Sequence, residues 1–244
     1  MNSGMYSALS GNIAAMKRMD IISNNLANIN TPGYKKDRMT FEGMLAGAST
    51  PLAVPTSKTA DPLLQKENVY IDYSAGSVSQ TGNALDVAIN GDGFFTVSTP
   101  NGTAYTRQGN FRLAADGTLV TIDGFPVLGQ GGEIQIKGSN VVINAKGEIT
   151  VDGAAAGTLN LVDFPKPYNL TKTGSALFVP SDPQATPQAA KAAIQQGQLE
   201  GANVDSVGEM VQMIETNRYF DACQKVILGY DELAGKAAND LGKL

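Results

Sequence analysis

Over residues 3–29, apolar side chains recur at steps of three and four: Met5, Leu9, Ile13, Met16, Met19, Ile22, Leu26 and Ile29. That spacing keeps one stripe along a helix. Ser3 is placed to cap its start. The pattern must stop at Asn30-Thr31-Pro32-Gly33, because proline disfavours the helical conformation of the residue before it and glycine accepts a left-handed turn. A second helical pattern runs over about 204–240. Val207, Val211 and Ile214 form a stripe that passes into Tyr219, Cys223, Val226, Tyr230, Leu233 and Ala237, flanked by Met210, Met213, Phe220 and Ile227. At 1.5 Å per residue the second helix is roughly 55 Å long. Its apolar surface is broader than a two-stranded seam needs.

Between the helices the period changes. Alternation is clear in residues 69–73 and 94–97, and turn pairs recur at Asp92-Gly93, Asn101-Gly102, Asp116-Gly117, Asp123-Gly124, Lys146-Gly147 and Asp152-Gly153. Such pairs supply the positive φ of tight hairpins. NFRLAADGTLVTIDG (110–124) and NVVINAKGEITVDG (140–153) place their turns alike, which predicts two similar hairpins in an antiparallel meander. Residues 44–66 and 181–200 are polar, small and dotted with proline, as linkers are. The expected fold is α+β: long terminal helices pairing as a coiled-coil-like unit, with a middle all-β domain resembling an antiparallel barrel or sandwich. The expected parts are 1–38 (first helix), 39–68 (extended linker), 69–190 (β-domain) and 191–244 (connection and second helix).

Composition narrows the function classes. The chain has 244 residues, 18 Lys+Arg against 23 Asp+Glu, one cysteine and no histidine. A net charge of −5 with no basic run beyond Lys35-Lys36 argues against a nucleic-acid partner. Without histidine, the commonest general base near neutral pH and the commonest metal ligand are gone. Cys223 sits on an apolar stripe with no histidine to activate it and reads as a packed small hydrophobe. The Asp-Gly turns lack the ligand pattern of a calcium loop, and Gly91-Asp92-Gly93 lacks the Lys-Ser/Thr of a phosphate loop. No catalytic residue, cofactor or metal site is expected. The start, Met1-Asn2-Ser3-Gly4, carries no cleavable-signal pattern. No apolar stretch approaches the roughly 20 residues of a membrane span, so direct membrane insertion is not expected.

Two amphipathic helices at opposite chain ends must bury their apolar faces. They can do so partly on each other, but the second is about nine residues longer and broader in its apolar surface. The surplus points to neighbouring copies, and contacts between unlike surfaces of identical copies build rings or open filaments. The residues expected at that interface are Met5, Leu9, Ile13, Met16 and Leu26 on the first helix. On the second they are Val207, Met210, Val211, Ile214, Tyr219, Val226, Tyr230 and Leu233. Asn25 and Asn28, weak helix formers inside the last turns, are expected to hydrogen-bond between subunits. Pro32 and Gly33 are expected to shape the turn that completes this interface. Polar residues on both helices suggest ends that fold fully only when copies stack.

Residues 24–35, Asn-Asn-Leu-Ala-Asn-Ile-Asn-Thr-Pro-Gly-Tyr-Lys, resemble the N-terminal signature of the bacterial flagellar axial proteins (rod, hook and hook-associated). The run 201–220, with Gly201-Ala202-Asn203-Val204-Asp205 and Asn217-Arg218-Tyr219-Phe220, is similar to their C-terminal signature, although Ala202 stands where serine is common. Leu85 to Phe95 and Tyr105 to Phe111 resemble the opening of the rod and hook β-domain. The resemblance spans nearly the whole chain, and its details favour the proximal-rod type over the distal-rod or hook type. It implies a structural subunit of the periplasm-spanning rod of the basal body, with the terminal helices forming the inner core. Its partners would be copies of itself, other proximal and distal rod subunits and the flagellar type III export apparatus. Two other classes fit less well. An adhesin on a helical stalk would carry its helix at one end, and a hydrolase lacks an activated nucleophile.

Overall fold

The computed structural model describes residues 2–42, 66–174, 176–182 and 184–241. The chain forms two units. One holds the chain ends and residues 36–72, the other residues 28–35 and 73–203.

In the first unit, helix α1 spans Asn2–Ala27 and helix α2 spans Ser206–Leu241. Helix α1 is described from Asn2, so Ser3 lies within its first turn. Asp205 caps α2, its Oδ1 accepting from the Val207 amide at 3.2 Å. Tyr230 lies over Gly4, Cys223 near Gly11, Gln212 at Arg18 and Glu209 at Asn25, so the helices run antiparallel.

The contact face differs from the stripe of large residues. Buried positions of α1 include Ala8, Ala15 and Ile22, and those of α2 are Glu209, Thr216 and Cys223, each set stepping by seven. Small and polar side chains line this seam, and tyrosines of α2 close over glycines of α1. A Cβ added to Gly4 would lie 2.2 Å from the Tyr230 Oη. Met5, Leu9, Ile13 and Met16 are left outside, between 39% and 52% exposed. A reading weighted by side-chain bulk follows the large residues and misses a seam of glycine and alanine.

Strands β1 (Asp37–Glu42) and β2 (Lys66–Ile71) pair antiparallel in the same unit. They occupy the two ends of the stretch expected as a linker. The rest of it, 43–65, lies outside the described residues, and with it most of the expected 44–66 loop.

The second unit is the expected antiparallel β-region. Strands β3 (Val78–Gln80) and β4 (Val87–Asn90) pair with Gln198–Glu200 and Ala193–Gln196. Strands β5 (Phe94–Thr99) and β6 (Gly102–Thr106) form a hairpin at the centre of a six-stranded sheet. Outward from β6 come Leu177–Pro180 and Leu170–Lys172, and outward from β5 come Leu161–Asp163 and Gln188–Ala189. The returning strands at 188–200 fall within the second expected linker, 181–200.

The internal repeat is structural. Arg112–Leu113 pairs with Leu119–Val120, and Val141–Ile143 with Glu148–Val151. In the first turn the Gly117 amide donates to the Ala114 carbonyl. In the second the Gly147 amide donates to the Asn144 carbonyl, 30 residues on. Phe95, Val97, Leu119, Val127 and Ile149 close the core between hairpins and sheet, none more than 1% exposed. An aromatic cluster of Tyr73, Phe94, Tyr168 and Phe178 packs with ring centroids 4.8–6.2 Å apart.

Candidate assembly surface

The expected interface residues fall into two groups. On α1, Met5, Leu9, Ile13 and Met16 are exposed. On α2, Val207 (65%), Met210, Val211, Ile214 (55%), Tyr219, Val226 and Leu233 (61%) are exposed. Leu26 and Tyr230 are half-buried. Eleven large apolar side chains open to solvent on two helices of one unit are far more than scattered surface residues explain, and such faces mark interaction sites.

In the second group Asn25 and Gly33 are buried, and Asn28 and Pro32 are partly buried. Asn25 is 1% exposed. Its Nδ2 donates to the Asp37 carbonyl at 2.9 Å and to Glu209 Oε2 at 3.4 Å, and its Oδ1 accepts from the Asp37 amide at 3.0 Å. A carboxamide paired this way mimics a strand partner for residue 37 and fixes where β1 leaves the helix pair. Its burial and bonds therefore lie within the chain, not on an open face. Asn28, Pro32 and Gly33 belong to the β-unit. The Asn28 carbonyl accepts from the Thr31 amide at 3.0 Å, closing the turn after α1. Gly33 has φ +68°, and a Cβ there would lie 2.4 Å from the carbonyl carbon of Arg107.

A polar cavity of about 270 Å³ opens beside Asn25, lined by Arg18, Lys36, Arg38, Glu209 and Gln212. Its charges are mixed, and it holds no nucleophile beside a base. Among the described residues, no three of His, Cys, Asp and Glu come together as a metal would require. No helix of the described residues is long and apolar enough to cross a membrane.

Cys223 is buried in the seam, over Gly11 beside Tyr219. Partial burial first, and then the Cys223 group, push the Tyr219 phenol above its usual range. Burial first, and then the Asp163 hydrogen bond, raise Tyr168 strongly, and burial raises Tyr105.

Sequence reasoning missed one buried group altogether. Lys35, Glu200 and Arg107 are 1%, 2% and 6% exposed, and Glu200 pairs with both cations. Lys35 and Arg107 each sit in a family-like motif, but nothing in a single sequence links a lysine to a glutamate 165 positions away.

Three family models match the chain in order. The flagella basal body rod protein model covers residues 5–35, the flagellar hook protein FlgE/F/G D1 domain covers 88–151, and the flagellar basal body rod FlgEFG protein C-terminal region covers 195–241. Similar curated proteins extend over the whole length. The flagellar basal-body rod protein FlgG of Bacillus subtilis is 36% identical over 261 aligned positions, covering 96% of this chain and 97% of the relative. The FlgF protein of Rhizobium meliloti is 33% identical over 247 positions, covering 99% of both. The FlgF protein of Caulobacter vibrioides is 30% identical and covers all of both chains. With these end-to-end matches and the rod motifs carried on two terminal helices and a β-unit, the chain belongs to the flagellar basal-body rod protein family, the structural subunits of the rod.

Proposed function

We propose that this chain builds the proximal part of the rod, polymerising through its terminal helices and passing torque along the shaft. The observation that carries the reading is the pair of apolar faces left open on α1 and α2, whose own seam uses small and polar residues. Bulky Met, Leu, Ile and Val side chains turned outward on antiparallel helices suit packing against unlike faces of neighbouring copies, the arrangement that propagates a helical filament. Met5, Met16 and Met210 adapt to neighbours that are not all equivalent. In this reading the helical unit is the axial core. The chain acts as a mechanical part and not as a catalyst, without metal or cofactor. Its partners are its own copies, other rod subunits and the type III export apparatus that delivers it. The export partner is carried by family membership.

The proximal assignment is supported by length. The FlgF-like alignments run nearly gap-free over this chain, whereas the FlgG alignment spans 261 positions against 244 residues and needs insertions. Against it stands the higher identity to FlgG, which supports a distal-rod subunit as the second reading. An image of the assembled rod with this subunit's position resolved tests the choice. Density for its β-unit in the proximal segment is the expected result, and density only in the distal segment overturns it.

A further inference from the structure

Three stretches carry the chain into and out of the β-unit: residues 28–35, the start of 73–203 and its end. One buried carboxylate meets all three. Glu200 Oε1 accepts from Lys35 Nζ at 2.5 Å and from the Gly76 amide at 3.0 Å. Its Oε2 lies 3.4 Å from Arg107 Nε, and Arg107 is itself anchored by donating from Nη2 to the Gly91 carbonyl at 2.8 Å. The Glu200 carbonyl accepts from the Gly33 amide at 2.7 Å. Around this centre, Lys35 Nζ also donates to the Ser74 carbonyl at 2.8 Å, and Asn203 Nδ2 donates to the Ser74 carbonyl and hydroxyl at 3.2 and 3.1 Å. The Asn203 amide reaches the Tyr34 carbonyl at 3.3 Å.

A buried ion pair contributes little net stability when complete, yet it is strongly unfavourable when half made, because a lone buried charge has no solvent to turn to. Such a centre is all-or-none. We infer that Glu200 is the keystone of a latch that fastens the three chain entries and exits of the β-unit as one cooperative joint. The latch closes only when residue 200 has met residues 33–35 and 74–76. Before that, the core hairpins form while both exits stay loose. After it, the β-unit presents a single fixed base to the chain on every side. In a rod subunit, a consequence that rests on the reading above, this joint is where load enters and leaves the β-unit.

The test is hydrogen exchange on the full chain in dilute solution, comparing the parent protein with Glu200→Gln and with the milder Asn203→Ala. Glu200→Gln keeps shape and one acceptor but removes the negative charge that Lys35 and Arg107 face at Glu200. The latch predicts that amides of 33–36, 73–78 and 198–203 lose protection together, by about tenfold or more, while Phe94–Thr99 and Glu148–Val151 keep theirs. Loosening confined to 198–203, or no loosening, overturns it. If Glu200→Gln unfolds the whole unit, Asn203→Ala decides. A smaller joint loss in all three stretches supports the latch, and a loss at 203 alone overturns it. Incorporation of Glu200→Gln into basal bodies is scored separately. Parent-like motility in a chain whose three stretches are loosened overturns the load-bearing consequence and leaves the latch standing.

Discussion

Gly11 of α1 lies directly beneath Tyr219 of α2: a Cβ on Gly11 would sit 2.7 Å from the Tyr219 Oη and 3.2 Å from the Cys223 Sγ. The backbone of α1 therefore meets the Tyr219 and Cys223 side chains of α2 directly at this point. Gly11→Leu must push α2 away or displace Tyr219, and overpacking of this kind costs about 1–3 kcal/mol. The helical far-UV signal of the variant is expected to melt at lower temperature than the parent's, with the β-unit transition unchanged. An unshifted helical transition would show that the seam tolerates bulk.

The seam buries alanine, glycine and polar groups, so little apolar area holds the pair in one molecule. Hydrogen exchange in dilute protein should show weak protection over α1 and α2 and strong protection through the β-core around Phe95 and Ile149. Strong protection of residues 5–28 in dilute monomer would contradict coupling between helix order and assembly.

Asn25 holds both backbone groups of Asp37 with one side chain. Asn25→Ala removes one partner each from the part-buried Asp37 amide and carbonyl, at about 1–3 kcal/mol for a buried group left unsatisfied. Asn25→Asp keeps the acceptor for the Asp37 amide but loses the donor and sets a second carboxylate beside Glu209. Urea titration should find both variants less stable than the parent. A parent-like midpoint for Asn25→Ala would mean that water replaces the carboxamide.

Alkaline titration reads three tyrosines. Tyr105, Tyr168 and Tyr219 are raised above the usual phenol range, chiefly by burial. A phenol with a raised folded pKa contributes stability that is fully present below its unfolded value of about 10 and is lost as pH climbs through the folded value. Ultraviolet difference spectra should show part of the tyrosine signal appearing only above that range, together with unfolding. Tyr168→Phe should remove its share of the late signal. Ionisation of all eight tyrosines near pH 10 in folded protein would refute the burial.

What was legible in the sequence followed from period and turn chemistry. Both helices, the antiparallel middle and the repeated hairpins were readable because steps of three and four and Asp-Gly or Lys-Gly turns are local signals. The helix seam was not, since Ala8, Gly11 and Ala15 carry no hydrophobic weight and the bulky residues beside them drew the stripe outward. Asn25 was legible as unusual inside a helix, but its partners, Asp37 and Glu209, come from a strand and the other helix. Strands such as Gln198–Glu200 are three residues long and polar, too short to alternate, so the segment read as a linker. The Lys35–Glu200 pair leaves no local trace at all.

The central claim is that the open apolar faces of the terminal helices carry assembly while the β-unit folds without them. Removing residues 226–244 deletes Val226, Tyr230 and Leu233 and leaves the β-unit intact. The most direct measurement is basal-body incorporation and motility of cells carrying only this truncated chain, with the β-unit's fold verified by hydrogen exchange. The account predicts a folded β-unit, no incorporation and no motility. A truncated subunit that still enters the rod and supports swimming would contradict it.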